Sequence, residues 1–242
     1  MGADKKILDV KNLSVTLDKE EILRDISFSV SPGEALVVIG PNGAGKTVLF
    51  RALLGLLPFK GTVRWQEGVK IGYVPQKFAI DRTLPITVRE FFRLKSERFW
   101  FPPKDFTGHL AHELSLVGLS DSTLAKPMGD LSGGQLQRIL ISWAMLNHPD
   151  VLLFDEPTAG IDVGAEETIY NIMRKLQTER GTTILLISHD LSIVYKYAQN
   201  VLCINKKMIC HGNPREVLSP QDLAKTYGEG MYYHHSGDPA NI

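Results

Sequence analysis

Residues 35–47 read Ala-Leu-Val-Val-Ile-Gly-Pro-Asn-Gly-Ala-Gly-Lys-Thr, an apolar run that ends in a glycine-rich turn. The order of these residues narrows the fold more than any other stretch. Leu36 to Ile39 predict a buried parallel strand, Gly40 to Thr47 match the spacing G-x-x-x-x-G-K-T, and Val48 to Leu57 predict a helix. Glycines at 40, 43 and 45 let backbone N–H groups close around polyphosphate oxygens, and the helix N-terminus turns its partial positive charge toward them. The backbone of Gly40, Pro41, Asn42, Gly43, Ala44, Gly45 and Val48 would line such a cradle. Lys46 would reach the β- and γ-phosphates, and the Thr47 hydroxyl would hold Mg²⁺. An incidental glycine-rich turn is the plainer alternative, but strand, loop and helix stand in the order a phosphate site needs.

Two further apolar runs end in polar residues suited to the same chemistry. Val151 to Phe154 predict a buried strand leading into Asp155 and Glu156, and Thr183 to Ile187 predict another leading into Ser188, His189 and Asp190. An acid at the end of such a strand can ligate nucleotide-bound Mg²⁺, which assigns that part to Asp155. Glu156, one residue on, can orient or deprotonate a water behind a γ-phosphate. The bland reading of the pair is an acidic helix start before Pro157, and a lone His such as His189 is usually structural. Ser132-Gly133-Gly134-Gln135 again offers backbone donors to an anion, although a Ser there equally makes a plain helix N-cap.

Strands alternating with helices predict an α/β fold with a parallel sheet whose ligands gather at the strand C-termini. Ile7 to Val30 alternate apolar and polar around Lys19-Glu20-Glu21, predicting two or three antiparallel strands, and Thr62–Trp65 and Lys70–Val74 predict two more. Residues 77–148 have the texture of an inserted helical subdomain, with a helix-like run from Leu84 through Phe91, Phe92 and Leu94 and another from Leu136 to Leu146. The last long helix is expected at Ala165–Arg180, with Gly181 at its end. The 242 residues thus divide into a core at about 1–76 and 149–225, the insertion at 77–148 and a tail at 226–242.

Lys plus Arg and Asp plus Glu both total 27, so no net field draws the chain to nucleic acid or to an anionic membrane. The first residues lack the apolar core of a secretory signal, and no run of some eighteen apolar residues occurs, so a cytoplasmic chain is expected and any membrane span falls to a partner.

Taken together, GPNGAGKT at 40–47, Gln76 after Val74-Pro75, LSGGQ at 131–135, VLLFDE at 151–156, AGID at 159–162 and His189 resemble the ATP-binding cassette family over residues 6–220 or so. The resemblance implies a P-loop NTPase core with an N-terminal antiparallel β-subdomain and an inserted α-helical subdomain. It implies a homodimer that sandwiches two ATP molecules, with Ser132, Gly133, Gly134 and Gln135 of one subunit on the γ-phosphate held by the other's loop. It further implies that Gln76 senses Mg²⁺ and the attacking water, that His189 contacts the γ-phosphate, and that Asp162 links the two sites. The helical subdomain would dock multi-span permease subunits on the cytoplasmic face of the inner membrane. Phe91, Phe92, Phe99, Trp100 and Phe101 would line that surface or, as readily, the subdomain core. Leu17 stands where many cassettes stack an aromatic ring on adenine, which leaves the triphosphate to carry the affinity.

The stretches Ile71–Lys77, Asp81–Val88 and Val201–Asn205 resemble ATPase subunits of importers for zinc, manganese or chelated iron, and the tail with Tyr233-His234-His235 is most like the zinc branch. Such systems receive metal from an extracytoplasmic binding protein. A soluble scaffold ATPase, as in iron–sulfur assembly, is the alternative from another class. The remaining metal-binding residue types are expected to be ordinary. A two-residue turn at Lys206-Lys207 would set Cys203 opposite Cys210, within reach of a disulfide, although a reduced core pair is the expectation for a cytosolic chain. His109 and His112 read as an exposed helical face, and His234-His235 as a solvated tail.

Overall fold

The computed structural model describes residues 5–78, 85–95, 106–158 and 163–227. Its first two strands, β1 (Leu8–Leu17) and β2 (Glu20–Val30), meet at Asp18 and Lys19, whose φ angles of 48° and 70° form the left-handed hairpin turn that matches strand twist. β3 (Ala35–Ile39) runs into α1 (Lys46–Leu53), followed by β4 (Lys60–Trp65) and β5 (Ile71–Val74). The insertion carries α2 (Val88–Arg93), α3 (Phe106–Leu116) and α4 (Gly133–Met145). The chain returns through β6 (Val151–Asp155), α5 (Val163–Arg180), β7 (Thr183–Ile187), α6 (Leu191–Tyr197) and the hairpin of β8 (Asn200–Asn205) with β9 (Lys207–Gly212). Two short helices follow, α7 (Pro214–Val217) and α8 (Pro220–Tyr227).

The strands form one sheet in the order β4-β1-β2-β9-β8-β3-β7-β6-β5. β8, β3, β7, β6 and β5 are parallel, whereas β4, β1 and β2 are antiparallel. The expected antiparallel segment therefore has two strands before the glycine-rich turn and borrows its third, β4, from beyond α1. Strand alternation lets the parallel part serve two cores: Ala35, Val37 and Ile39 belong to the core that also takes in α5 and the helices of the insertion, while Leu36 and Val38 belong to the one shared with α1 and the antiparallel strands.

Local chemistry sets the helix limits. α1 stops four residues short of the expected end because Gly55, at φ 70°, turns the chain out of the helix. α2 waits until Val88, where Thr87 and Glu90 exchange capping bonds, and α4 starts at Gly133 through the same arrangement between Ser132 and Gln135.

Two expectations need correction, and one left open is decided. The β8–β9 turn is not two residues long: Lys206 alone turns at φ 58°, Ile204 pairs with Met208, and Ile209 is the extra residue of a bulge that brings Cys203 back opposite Cys210. These cysteines are not a reduced pair, since a disulfide joins them with Cα atoms 4.9 Å apart. Phe91 and Phe92 belong to the core and not to a docking face: both are buried, and the Phe91 ring lies 5.5 Å from that of Trp143. Phe99, Trp100 and Phe101 fall outside the described residues, as do Asp162 and His234-His235. No helix among the described residues is long and apolar enough to cross a membrane.

Candidate functional site

β3, β6 and β7 lie side by side and parallel, so the polar residues that follow them emerge at one edge of the sheet. The glycine-rich turn closes this edge on one side. A Cβ at Gly40 would stand 2.1 Å from the Ile204 carbonyl oxygen, and one at Gly45 2.5 Å from Leu23 Cδ2, so the turn is pressed against β8 and β2 where only glycine fits. Gly43, at φ 78°, has open space around it and needs glycine for its backbone alone. Gly40→Ala is therefore expected to displace the whole turn. Overpacking of this kind costs about 1–3 kcal/mol, and at ~2–4 °C per kcal/mol for a chain of this size the thermal midpoint should fall by several degrees while nucleotide affinity drops. Gly43→Ala, measured by the same thermal melt and nucleotide titration, should be milder.

Lys46 opens α1 and is 6% exposed. Its Nζ donates to the carbonyl oxygens of Gly40 (2.7 Å) and Pro41 (3.0 Å) and lies 3.9 Å from Glu156 Oε1. Burial lowers the pKa of the ammonium, and the charges of Glu156 and Asp155 work against that shift. Beside it the Thr47 hydroxyl donates to Asp155 Oδ1 at 3.1 Å, and the Tyr73 hydroxyl donates to Asp155 Oδ2 at 3.2 Å. Asp155 is 1% exposed; burial raises its pKa, opposed by these two hydrogen bonds. Burial, and then the neighbouring carboxylate, push the Tyr73 hydroxyl up to about 12, so it stays a donor at any physiological pH.

Glu156 sits at the centre. Its φ of 48° is unusual for a side chain larger than glycine, and a hydrogen bond from its N–H to the Ile187 oxygen (3.3 Å) helps hold it there. The bend lifts the carboxylate out of the strand direction into contact with three groups. Gln76 Nε2 donates to Oε2, His189 Nε2 meets Oε1, and Lys46 approaches Oε1. Gln76, Glu156, His189 and Lys46 thus form one cluster. The carboxylate faces the lysine, but a separation of 3.9 Å is that of an ion pair. A γ-phosphoryl group enters only by parting the two and by drawing Lys46 off the Gly40 and Pro41 carbonyls.

Ser132 and Gln135 are spent on each other at the start of α4: Ser132 Oγ accepts from the Gln135 N–H and Gln135 Oε1 from the Ser132 N–H, both at 3.2 Å. Ser132 and Gly133 are exposed, and a Cβ at Gly133 would meet nothing within 4 Å. Among the described residues no hydrogen bond ties this segment to the glycine-rich turn. Leu17 is half-buried against the β1–β2 core and paired with Glu20. The motifs do not single out Tyr73. Its register opposite Leu153, two residues before Asp155, puts it on the same face as that carboxylate once β5 is known to pair with β6.

A cleft of about 420 Å³ lies at the opposite edge of the sheet, bordered by Pro32, Pro149 and Thr182, which precede β3, β6 and β7. It belongs to a different end of the molecule from the cluster around Glu156.

A family model described as ABC transporter matches residues 23–159. Zinc import ATP-binding protein ZnuC of Yersinia enterocolitica is 38% identical over 238 residues, covering 95% of this chain and 90% of its own. The ZnuC of Cereibacter sphaeroides is also 38% identical, over 225 residues, with 93% and 89% covered. In structure the chain is similar to a protein described as a metal-chelate type ABC transporter in an inward-facing conformation, with a TM-score of 0.82, 25% identity and coverage of 92% and 89%. The ADP conformation of an ATP-binding cassette of an ABC transporter gives a TM-score of 0.73 at 26% identity, covering 87% and 92%.

Proposed function

The chain belongs to the ABC transporter family and is an ATP-hydrolysing subunit; from that premise we propose that it powers the import of zinc. The observation that carries the catalytic reading is the convergence of Gln76, His189 and Lys46 on the one carboxylate of Glu156. A water held between Gln76 and Glu156 would lie beyond the terminal phosphate of a nucleotide whose other phosphates rest on the backbone of residues 40–48. Glu156 takes the proton as that water attacks, and His189 and Lys46 offset the charge that builds on the phosphoryl oxygens.

The donor set fits Mg²⁺, a hard cation that prefers oxygen ligands. The Thr47 hydroxyl and the buried Asp155 carboxylate already lie 3.1 Å apart, and Gln76 would complete the protein's share. When held there, Mg²⁺ would neutralise charge on the nucleotide's phosphates. Tyr73 keeps the carboxylate aimed at Thr47 by holding its other oxygen.

The exposed Ser132-Gly133-Gly134-Gln135 segment supports a homodimer in which each subunit offers this helix start to the nucleotide on the other, with Asp162 at the junction. The subunit sits peripherally, on the cytoplasmic face of the inner membrane, against multi-span permease chains fed by an extracytoplasmic zinc-binding protein. Similarity over nearly the whole chain to zinc import ATP-binding proteins supports zinc as the cargo over manganese or chelated iron. Two measurements test the reading. Affinity purification from detergent-solubilised membranes should recover a multi-span protein with this chain, and a purely soluble complex would overturn transport. A strain lacking the chain should grow poorly when zinc is limiting and recover with added zinc; recovery with manganese or iron alone would overturn the choice of metal.

A further inference from the structure

Glu113, in the last turns of α3, is fully buried, yet neither of its carboxylate oxygens accepts a hydrogen bond. Arg180 Nη2, at 3.8 Å, pairs with Oε1 only at a distance beyond hydrogen-bond reach. A buried carboxylate so poorly satisfied is a costly arrangement unless a cation takes up its oxygens. The groups best placed to share such a cation stand beside it. His109 is one turn earlier on the same helix, and His148 projects from the turn between α4 and β6, with its ring centroid 5.7 Å from that of His109. The three ligand atoms offered by His109, Glu113 and His148 all lie within 4.8 Å of one another. The neighbour expected for His109 is His112; the fold instead turns His109 toward a residue 39 positions away in the chain.

We propose that His109, Glu113 and His148 form a Zn²⁺ site. Two imidazoles and a carboxylate suit zinc and its first-row neighbours and are a poor match for Mg²⁺ or Ca²⁺. Three protein ligands leave the fourth position of a tetrahedral ion to water. With ligands at ~2.0–2.2 Å, such an ion needs its donors about 3.4 Å apart, so the cluster tightens by roughly 1 Å through side-chain rotation. Exposed His148 and half-buried His109 have the freedom to supply that rotation, whereas the His148 backbone is held, at φ 46°, by its N–H bond to the Met145 oxygen (2.8 Å). His148 and Arg180 also line the 420 Å³ cleft, which gives solvent a route to the cluster. Bound there, the ion ties α3 to the turn that joins the helix begun at Gly133 to the strand ending at Asp155. It acts as a staple between the helical insertion and the core, at the opposite end of β6 from the nucleotide site.

The test is zinc titration of the purified full chain without nucleotide, followed by calorimetry and by thermal melting. His234→Ala/His235→Ala is included so that the tail does not compete. One equivalent should bind, raise the melting midpoint and slow amide exchange in α3, with or without the tail histidines and with millimolar Mg²⁺ present. His109→Ala and His148→Ala should each weaken binding by ~100-fold or more, given that even supporting residues around a metal are worth ~10–100-fold. His112→Ala, on the same helix but outside the cluster, should bind as the unaltered chain does. Glu113→Gln should also lose zinc; should it fail to fold, the two histidine variants still decide. Undiminished one-to-one binding in the His109→Ala/His148→Ala double variant, or no binding by the unaltered chain, overturns the proposal.

Discussion

Glu156→Gln should lower ATP turnover by about 10²–10⁴-fold, the range that a positioned general base contributes, while ATP binding survives. The substitution keeps the shape of the side chain and an oxygen for Gln76 to bond, so the cluster should hold its geometry. What it removes is the negative charge that faces Lys46 and His189 and the group that takes a proton from water. Because Lys46 lies 3.9 Å from this carboxylate, neutralising it also frees the ammonium for phosphate, and ATP should bind at least as tightly as before. In the proposed homodimer closure precedes chemistry, so the variant should accumulate as an ATP-bound dimer. Single-turnover hydrolysis, equilibrium binding and size-exclusion chromatography with ATP separate the three effects, and undiminished hydrolysis would remove Glu156 from the chemistry.

The parts of this site that are legible in the sequence are those written locally. β3, β6 and β7 are short, mostly apolar runs, every residue buried; β6 ends in Asp155, β7 leads into Ser188 and His189, and β3 leads into the glycine-rich turn. The turn at Gly40–Thr47 is legible because glycine is demanded by close backbone contact, at Gly40 against Ile204 and at Gly45 against Leu23, and that demand leaves a mark in the spacing. What stays hidden depends on which strands become neighbours. Tyr73 reaches Asp155 only because β5 closes the sheet beside β6, a pairing between segments 80 residues apart that no local pattern records. The β8–β9 bulge follows from one left-handed residue, Lys206, where a two-residue turn is equally compatible with the composition. The site at His109, Glu113 and His148 joins a helix to a distant turn, and its most telling member, Glu113, looks like any exposed helical acid until its burial is seen.

Gly133→Asp separates the two roles that one short segment can play. In the single chain the position is the first of α4, exposed, with nothing within 4 Å of the place a Cβ would occupy, so the fold has room for the new group. A carboxylate in the first helical turn is favourable by about 0.3–1 kcal/mol through the helix dipole, and replacing glycine in a helix adds to that. If the segment served only to cap α4, the variant should therefore melt no lower than the unaltered chain and hydrolyse ATP as well. In a dimer that presents these N–H groups to the nucleotide of the opposite subunit, the same carboxylate stands against the γ-phosphate. It repels the phosphate and takes over donors intended for it. Loss of a preorganised donor to a reacting oxyanion is worth about 10²–10³-fold, so turnover should fall by at least ~10²-fold with the melting temperature unchanged or raised and ATP binding to the isolated subunit intact. Mixing Gly133→Asp with Lys46→Ala chains makes the test directional. In a mixed dimer the intact phosphate loop of the first faces the intact Ser132–Gln135 segment of the second, one complete site forms, and part of the activity should return that neither variant shows alone. Full activity in Gly133→Asp by itself would mean that the phosphate never meets this helix, and that Ser132 and Gln135 are together no more than a cap.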